Sequence, residues 1–356
     1  MSVRGLLAIG GLLAVALTSS ADAARQPLDI RVFARVPNPG QPEPVAIGPH
    51  KRVYVGTNQQ GKGDAEVASK VFVFSRRGRL REEIKLQGQP LDEDHGIQGL
   101  AFDAEGRLYA LDRSATPRVV RINLETRRQH EYAAFRDVPA CASAGQADCS
   151  ATVGDFDSAP DYATFGPDGS LYVTDIEQAL IWRVPPRGGT PEVWFTDPRL
   201  ETIYGPNGIQ FLRGGRTLLF ASTSSSPSTG YPQEGALYTL PVNADGSPGE
   251  LAELWRSGPV DGPDGFAIGR SGKIYLALAG ASQLVVISAA GEELARVPAN
   301  QLENSSMEVP LDGPASVAFL GRRLLVTNQS FARGDPASWA VLDVFAGERG
   351  LRLFYP

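Results

Sequence analysis

Six positions in this chain share one local context, and five of them carry side chains able to bind a cation together. They are Glu43, Gln98, Asp161, Asn207, Asp264 and Ala315. Each lies four residues before the bulky residue that closes a short apolar run: Ile47, Phe102, Phe165, Phe211, Ile268 or Phe319. Five of the six have a side-chain oxygen, and three are carboxylates. Three anions aimed at one point of a partly dehydrated channel repel strongly, so unless they hold protons they need a cation. The set contains neither Cys nor His. All-oxygen ligation suits a hard ion, with Ca²⁺ favoured over Zn²⁺. Asp or Asn before Gly is also a common turn former, and that reading suffices at Asp168-Gly169 and Asp245-Gly246. At Asn207 and Asp264 the preceding Gly-Pro already makes the turn, and the position recurs in register, so ligation is the better reading. At Asp161 both readings stand.

For these residues to meet, the chain must bring six distant segments together. Successive positions are separated by 55, 63, 46, 57 and 51 residues, a spacing that suits propeller blades rather than a short solenoid repeat. Each unit reads alike. A first apolar run is followed by a turn and a second run rich in strand formers, as in Pro263 to Ile268 and Ile274 to Leu276. A third run follows (Lys70 to Phe74, Val119 to Ile122, Leu180 to Val184, Ala236 to Leu240, Gln283 to Ile287, Ala340 to Phe345), and usually a more polar fourth, such as Glu83 to Leu86, Glu192 to Phe195 or Glu253 to Trp255. No stretch holds a 3.6-residue period, so helices should be few. The expected fold is all-β, a six-bladed β-propeller with four-stranded antiparallel blades. A β-sandwich does not repeat itself six times. In a propeller the starts of the innermost strands converge on the axis, which turns the six positions into a ring.

The repeat and its motifs resemble the senescence marker protein / gluconolactonase / luciferin-regenerating-enzyme family of calcium-dependent six-bladed propellers. More distantly the chain is similar to paraoxonases, diisopropyl fluorophosphatase and strictosidine synthases. Pro206-Asn207-Gly208, Pro263-Asp264-Gly265 and Glu43-Pro44-Val45 carry the likeness. It implies a metal held by Glu43, Asp161, Asn207 and Asp264, with Asp161 standing where the family usually has Asn. The first-blade signature departs too, lacking the usual small residue and Trp around Pro-Val. The resemblance further implies a lactonase or related ester hydrolase, in which the metal polarises a carbonyl and Asp264 is base or nucleophile. His95, in a His-Gly-Ile run like that of the paraoxonases, is a candidate for proton transfer or a plain loop residue. The competing expectation is a propeller that binds a ligand or partner without catalysis; fold alone decides neither. A synthase like the strictosidine synthases fits less well, because those lack the full ring.

Other features bound the function. Among the 356 residues, Arg4, the apolar stretch Leu6 to Leu17 and Ala21-Asp22-Ala23 predict a signal peptide over 1–23, cut before Ala24. An uncleaved anchor is the rival. A single exported domain over 24–356 is expected, without a membrane span. A net charge of −6 without a long basic cluster argues against nucleic acid. The expected partner is a small-molecule substrate, and the expected state a monomer. Cys141 and Cys149 read as a disulfide closing a small loop. Substrate specificity is expected from the connections Gly56 to Ser69, Pro90 to Gly96, Val138 to Ser158, Ser222 to Glu234 and Asn328 to Ser338. Asn304-Ser305-Ser306 matches a glycosylation sequon, a motif short enough to arise by chance.

Overall fold

The computed structural model describes residues 25–38, 40–59, 67–143, 146–150, 156–202, 204–224, 234–331 and 333–356. The predicted signal peptide lies outside them, as do parts of the Gly56–Ser69, Val138–Ser158 and Ser222–Glu234 connections. The described residues are nearly all β. Strand β1 (Ile30–Arg35) comes first. A first group follows: β2 (Gln41–Ile47), β3 (Val53–Gln59), β4 (Lys70–Phe74) and β5 (Leu80–Lys85). The second is β6 (His95–Phe102), β7 (Leu108–Arg113), β8 (Arg118–Ile122) and β9 (Gln129–Ala134). The third is β10 (Pro160–Phe165), β11 (Leu171–Asp175), β12 (Leu180–Val184) and β13 (Glu192–Thr196). The fourth is β14 (Pro206–Phe211), β15 (Thr217–Ser222), β16 (Glu234–Pro241) and β17 (Ala252–Pro259). The fifth is β18 (Pro263–Ile268), β19 (Ile274–Leu278), β20 (Gln283–Ile287) and β21 (Glu293–Val297). After a short helix α1 (Gln301–Ser306) come β22 (Pro314–Leu320), β23 (Arg323–Asn328) and β24 (Ala340–Phe345).

All pairings within the groups are antiparallel. The third, fourth and fifth groups are separate four-stranded sheets, while the first two fuse into one eight-stranded sheet through Asn58↔Gly96 and Gln59↔His95. The last group lacks a fourth strand of its own, and β1 supplies it by pairing with β24. The buried Arg25 guanidinium fixes that arrangement, donating to the Asp343 carboxylate at 2.6 Å and to the Asp343 carbonyl at 2.9 Å.

Alternation along the strands explains the packing. Side chains at successive positions point to opposite faces, so Tyr54 and Val71 pack toward the second group while Val53, Val55 and Phe72 pack toward the last. The same division recurs in every group, giving an apolar layer between each sheet and the next and one between the last and the first. One contact is repeated in each layer. The second residue of the second apolar run meets the closing residue of the next group's first run: Tyr54 on Phe102, Tyr109 on Phe165, Tyr172 on Phe211 and Tyr275 on Phe319. In these pairs the rings stand edge to face, 4.9 to 5.5 Å apart. Where the closing residue is Ile, its partner is Leu, as in Leu219 with Ile268 and Leu325 with Ile47. Fully buried aromatics such as Trp182, Tyr172 and Phe220 each contribute roughly 2–3 kcal/mol by leaving water.

The first strands β2, β6, β10, β14, β18 and β22 contact one another in that order, and β22 returns to β2. Neighbouring backbones approach closely there. A Cβ on Gly99, Gly208 or Gly265 would stand 2.9, 2.7 or 2.8 Å from the carbonyl oxygen of Asp161, Asp264 or Ala315 in the next strand. None of these three glycines has a positive φ. The glycine after the ring residue is therefore there for strand approach, not for a turn. Gly265→Ala, whose Cβ would also fall 2.4 Å from the Tyr162 hydroxyl, is expected to cost about 1–3 kcal/mol. Urea unfolding measures this, and an unchanged midpoint would contradict the close-approach account.

The far end of the channel is crossed by residues 349–356. Leu351 donates its N–H to the Ile268 carbonyl at 2.7 Å, Phe354 packs edge-on to Phe211, and Ala104 donates to the Pro356 carbonyl at 3.1 Å. Cys141 and Cys149 are joined in a disulfide. Asn304 is buried, its amide bonded to both the N–H and the carbonyl of Leu311, so the sequon asparagine holds a loop from within. Among the described residues no helix is long and apolar enough to cross a membrane.

Candidate functional site

Every first strand carries a β-bulge, and in each case it falls at the ring position. Register shifts between Pro42 and Val45, Ile97 and Gly99, Pro160 and Ala163, Pro206 and Ile209, Pro263 and Phe266, and Pro314 and Val317. A bulge inserts one extra residue and re-aims its side chain. The N–H groups it displaces find other acceptors. Tyr162 N–H donates to Thr174 Oγ1 at 3.0 Å, and Ser316 N–H to Thr327 Oγ1 at 2.8 Å.

Glu43, Gln98, Asp161, Asn207 and Asp264 line one cavity of about 470 Å³ at this end of the channel. All five are between 4% and 6% exposed. Ala315 is buried but does not line the cavity. His95 is not brought there either. It starts β6, is 2% exposed, and its ring nitrogens lie 2.8 and 3.1 Å from the carbonyl oxygens of Glu93 and Val67. There it ties two connections to the strand.

A second ring, not anticipated from sequence, stands around the first. In each group the residue pairing with the one before the ring position is followed by a residue that lines the cavity: Asn58, Arg113, Ile176, Thr223, Ala279 and Gln329. Each lies five residues after the first apolar residue of the second run: Val53, Leu108, Leu171, Leu218, Ile274 and Leu324. Three of the five connections expected to set specificity contribute described residues to the cavity wall, including Asn58, Thr223 and Phe331. Four of the five need their bounds corrected, because Gly56 to Gln59 belong to β3, His95 and Gly96 to β6, Ser222 to β15, Glu234 to β16 and Asn328 to β23.

Burial dominates the electrostatics. It is the main cause holding the Glu43 carboxyl well above the usual range, with the charges of Asp264 and Asp161 adding to it and Arg113 opposing. Burial likewise pushes Asp161 up to about 7, against the Arg113 guanidinium and with the repulsion of Asp175 and Glu177. Asp264 is raised by burial and by Asp161, while the Gly265 N–H, the Tyr162 hydroxyl and the Asn207 amide favour its charged form. Arg113, which donates to Glu177 Oε1 at 2.6 Å, was not foreseen as a counter-charge. Tyr162 was also missed. It follows Asp161 within the bulge, lines a separate apolar cavity on the far side of the ring, and donates its hydroxyl to Asp264 Oδ1 at 3.3 Å.

Among the described residues, no three His, Cys, Asp or Glu side chains are already gathered as a ligand cluster. The donor chemistry nevertheless fits a hard cation. Asn207 donates through Nδ2 to Thr223 Oγ1 at 3.0 Å, and Thr223 donates to the Pro263 carbonyl at 2.8 Å. That relay leaves the Asn207 Oδ1 atom buried and without a hydrogen-bond partner among the described residues, and the same is true of Gln98 Oε1. Such oxygens are costly to leave unmatched. Thr223→Val, which removes the acceptor that orients Asn207, is expected to weaken Ca²⁺ binding about tenfold. Calorimetric titration checks this, and equal affinities would exclude the relay.

No family model matches the sequence, and no curated protein matches it. Solved structures do. The calcium-binding protein regucalcin of Agrobacterium tumefaciens aligns at TM-score 0.62 and 19% identity, over 93% of this chain and 97% of that one. A gluconolactonase of Xanthomonas campestris aligns at 0.58 and 15%, over 92% and 93%. The PQQ-bound aldose sugar dehydrogenase of Streptomyces coelicolor aligns at 0.60 and 17%, over 89% and 98%. What is shared is the fold. Regucalcin and gluconolactonase stand among these neighbours, as the ring motifs lead one to expect.

Proposed function

We propose that residues 24–356 form an exported six-bladed propeller that hydrolyses lactones or related esters with one Ca²⁺ ion. The observation that carries this reading is the meeting of Glu43, Asp161 and Asp264 with the unpartnered Asn207 Oδ1 in one cavity. The disulfide and the packing of Arg25, just after the predicted cleavage point, support export. The ligands would be Glu43, Asp161, Asn207 and Asp264. When bound, the ion supplies Lewis-acid polarisation of the substrate carbonyl. Asp264, as base, takes a proton from a water that attacks the carbonyl carbon; the acyl C–O bond then breaks and the proton passes to the departing alkoxide. As nucleophile, Asp264 instead attacks the carbonyl carbon, the acyl C–O bond breaks and the departing alkoxide takes a proton from water; a second water then opens the acyl anhydride, freeing the acid and restoring the carboxylate. Tyr162 and the Gly265 N–H hold the Asp264 carboxylate in either case.

One observation favours the alternative of a non-catalytic binding propeller. Arg113 sits among the carboxylates and offsets part of their charge without a cation. A panel of γ- and δ-lactones and aryl esters, assayed with Ca²⁺ and with EDTA, separates the two. Metal-dependent hydrolysis of at least one substrate is expected. A protein that binds Ca²⁺ and hydrolyses none of them is a binding protein.

A further inference from the structure

The four ligands named above come from the first, third, fourth and fifth groups. The second group's ring residue is left without a role. Gln98 lines the same cavity, is 4% exposed, and its Oε1 has no hydrogen-bond partner among the described residues. It is the single extra residue of the bulge between Ile97 and Gly99. The strand that carries it is pressed against the backbone of Asp161, since a Cβ on Gly99 would stand 2.9 Å from the Asp161 carbonyl oxygen. Its strand also lies between those of Glu43 and Asp161, as β6 contacts both β2 and β10. No carboxylate of this cavity, once ionised, can satisfy a buried amide oxygen, because it only accepts. A cation does so.

We infer that Gln98 is a fifth oxygen ligand, so that the cation is held by residues from five successive strand groups. The sixth position, Ala315, offers no donor atom. A neutral amide is also the ligand that adds coordination without adding to the repulsion already present among three carboxylates. This inference rests on the metal reading above and extends it to a residue that the family resemblance does not assign.

The test is calorimetric titration of Ca²⁺ into chelator-stripped protein, with the metal-induced rise in melting temperature as a second readout. Gln98→Leu keeps the bulk and loses the oxygen; it is expected to bind Ca²⁺ about tenfold more weakly. Gln98→Glu restores an oxygen and is expected to bind at least as tightly as the parent. Gln329→Leu makes the same change at another buried, unpartnered amide oxygen of this cavity, but on the outer ring, and its affinity should match the parent's. Gln98→Leu equal to the parent overturns the inference while leaving the four-ligand site intact. Equal weakening in Gln98→Leu and Gln329→Leu overturns it too, since the effect would then belong to the cavity at large. A parent that takes up no Ca²⁺ overturns it together with the metal reading.

Discussion

Asp264→Asn should lose turnover by a factor on the order of 10² or more while binding Ca²⁺ only a few-fold more weakly. The substitution keeps an oxygen ligand and nearly the same volume, but it removes the anionic oxygen that a base or nucleophile requires. The surroundings make the split readable. Asp264 accepts from the Tyr162 hydroxyl at 3.3 Å and is favoured in its charged form by the Gly265 N–H; the asparagine keeps one accepting oxygen for the Gly265 N–H or the ion, and its NH₂ group can pair with the Tyr162 hydroxyl once that hydroxyl turns to accept. Asn207→Ala should behave oppositely, costing metal affinity first and recovering activity in excess Ca²⁺. The measurement is kcat at saturating Ca²⁺ for parent and variants. Parental kcat in Asp264→Asn would remove the residue from the chemistry.

The second large effect is on stability. In the metal-free protein, the folded state holds Glu43, Asp161 and Asp264 above their ordinary values, so it favours their protonated forms. Below the ordinary carboxyl range, folded and unfolded chains both keep these protons and no penalty arises. As pH rises, the unfolded chain releases them first. For Asp161 the contribution is lost between its ordinary 3.8 and about 7. Stability without metal should therefore fall across that window. Added Ca²⁺, which favours the ionised ring, should reverse the trend: it should raise the melting temperature little at pH 5 and strongly at pH 8. At a hundredfold excess over Kd the stabilisation is about 2.7 kcal/mol. A metal-free melting temperature that rises from pH 5 to pH 8, or a Ca²⁺ gain larger at pH 5, would contradict the assignment.

Much of this architecture was legible because the repeat writes itself in residue types. The closing residues Ile47, Phe102, Phe165, Phe211, Ile268 and Phe319 mark the first strands, and the position four residues before each marks a bulge that the structure places at one end of the channel. Even the layer contacts follow the text, with Tyr set against Phe and Leu against Ile. What stayed hidden depends on distance in space rather than on local pattern. That β1 completes the last group follows from pairing across the whole chain. Arg113 looks like an ordinary strand end until β7 is laid beside β6. Tyr162 reads as one more strand aromatic until the bulge turns it beneath Asp264. The reason for the glycines after Gln98, Asn207 and Asp264 became visible only when the next strand's carbonyl appeared beside them. The position of His95 outside this cavity was hidden for a similar cause: its two neighbouring carbonyls come from different connections.

The most direct test of the cation site is one titration. Ca²⁺ is added to the chelator-stripped parent and to a combined Glu43→Gln, Asp161→Asn, Asp264→Asn variant whose far-ultraviolet circular dichroism matches the parent's. The parent should bind one ion per chain, and the variant, which keeps the oxygens but loses all three charges, should bind none measurably. Absence of binding in the parent, or equal binding in the variant, would contradict the account.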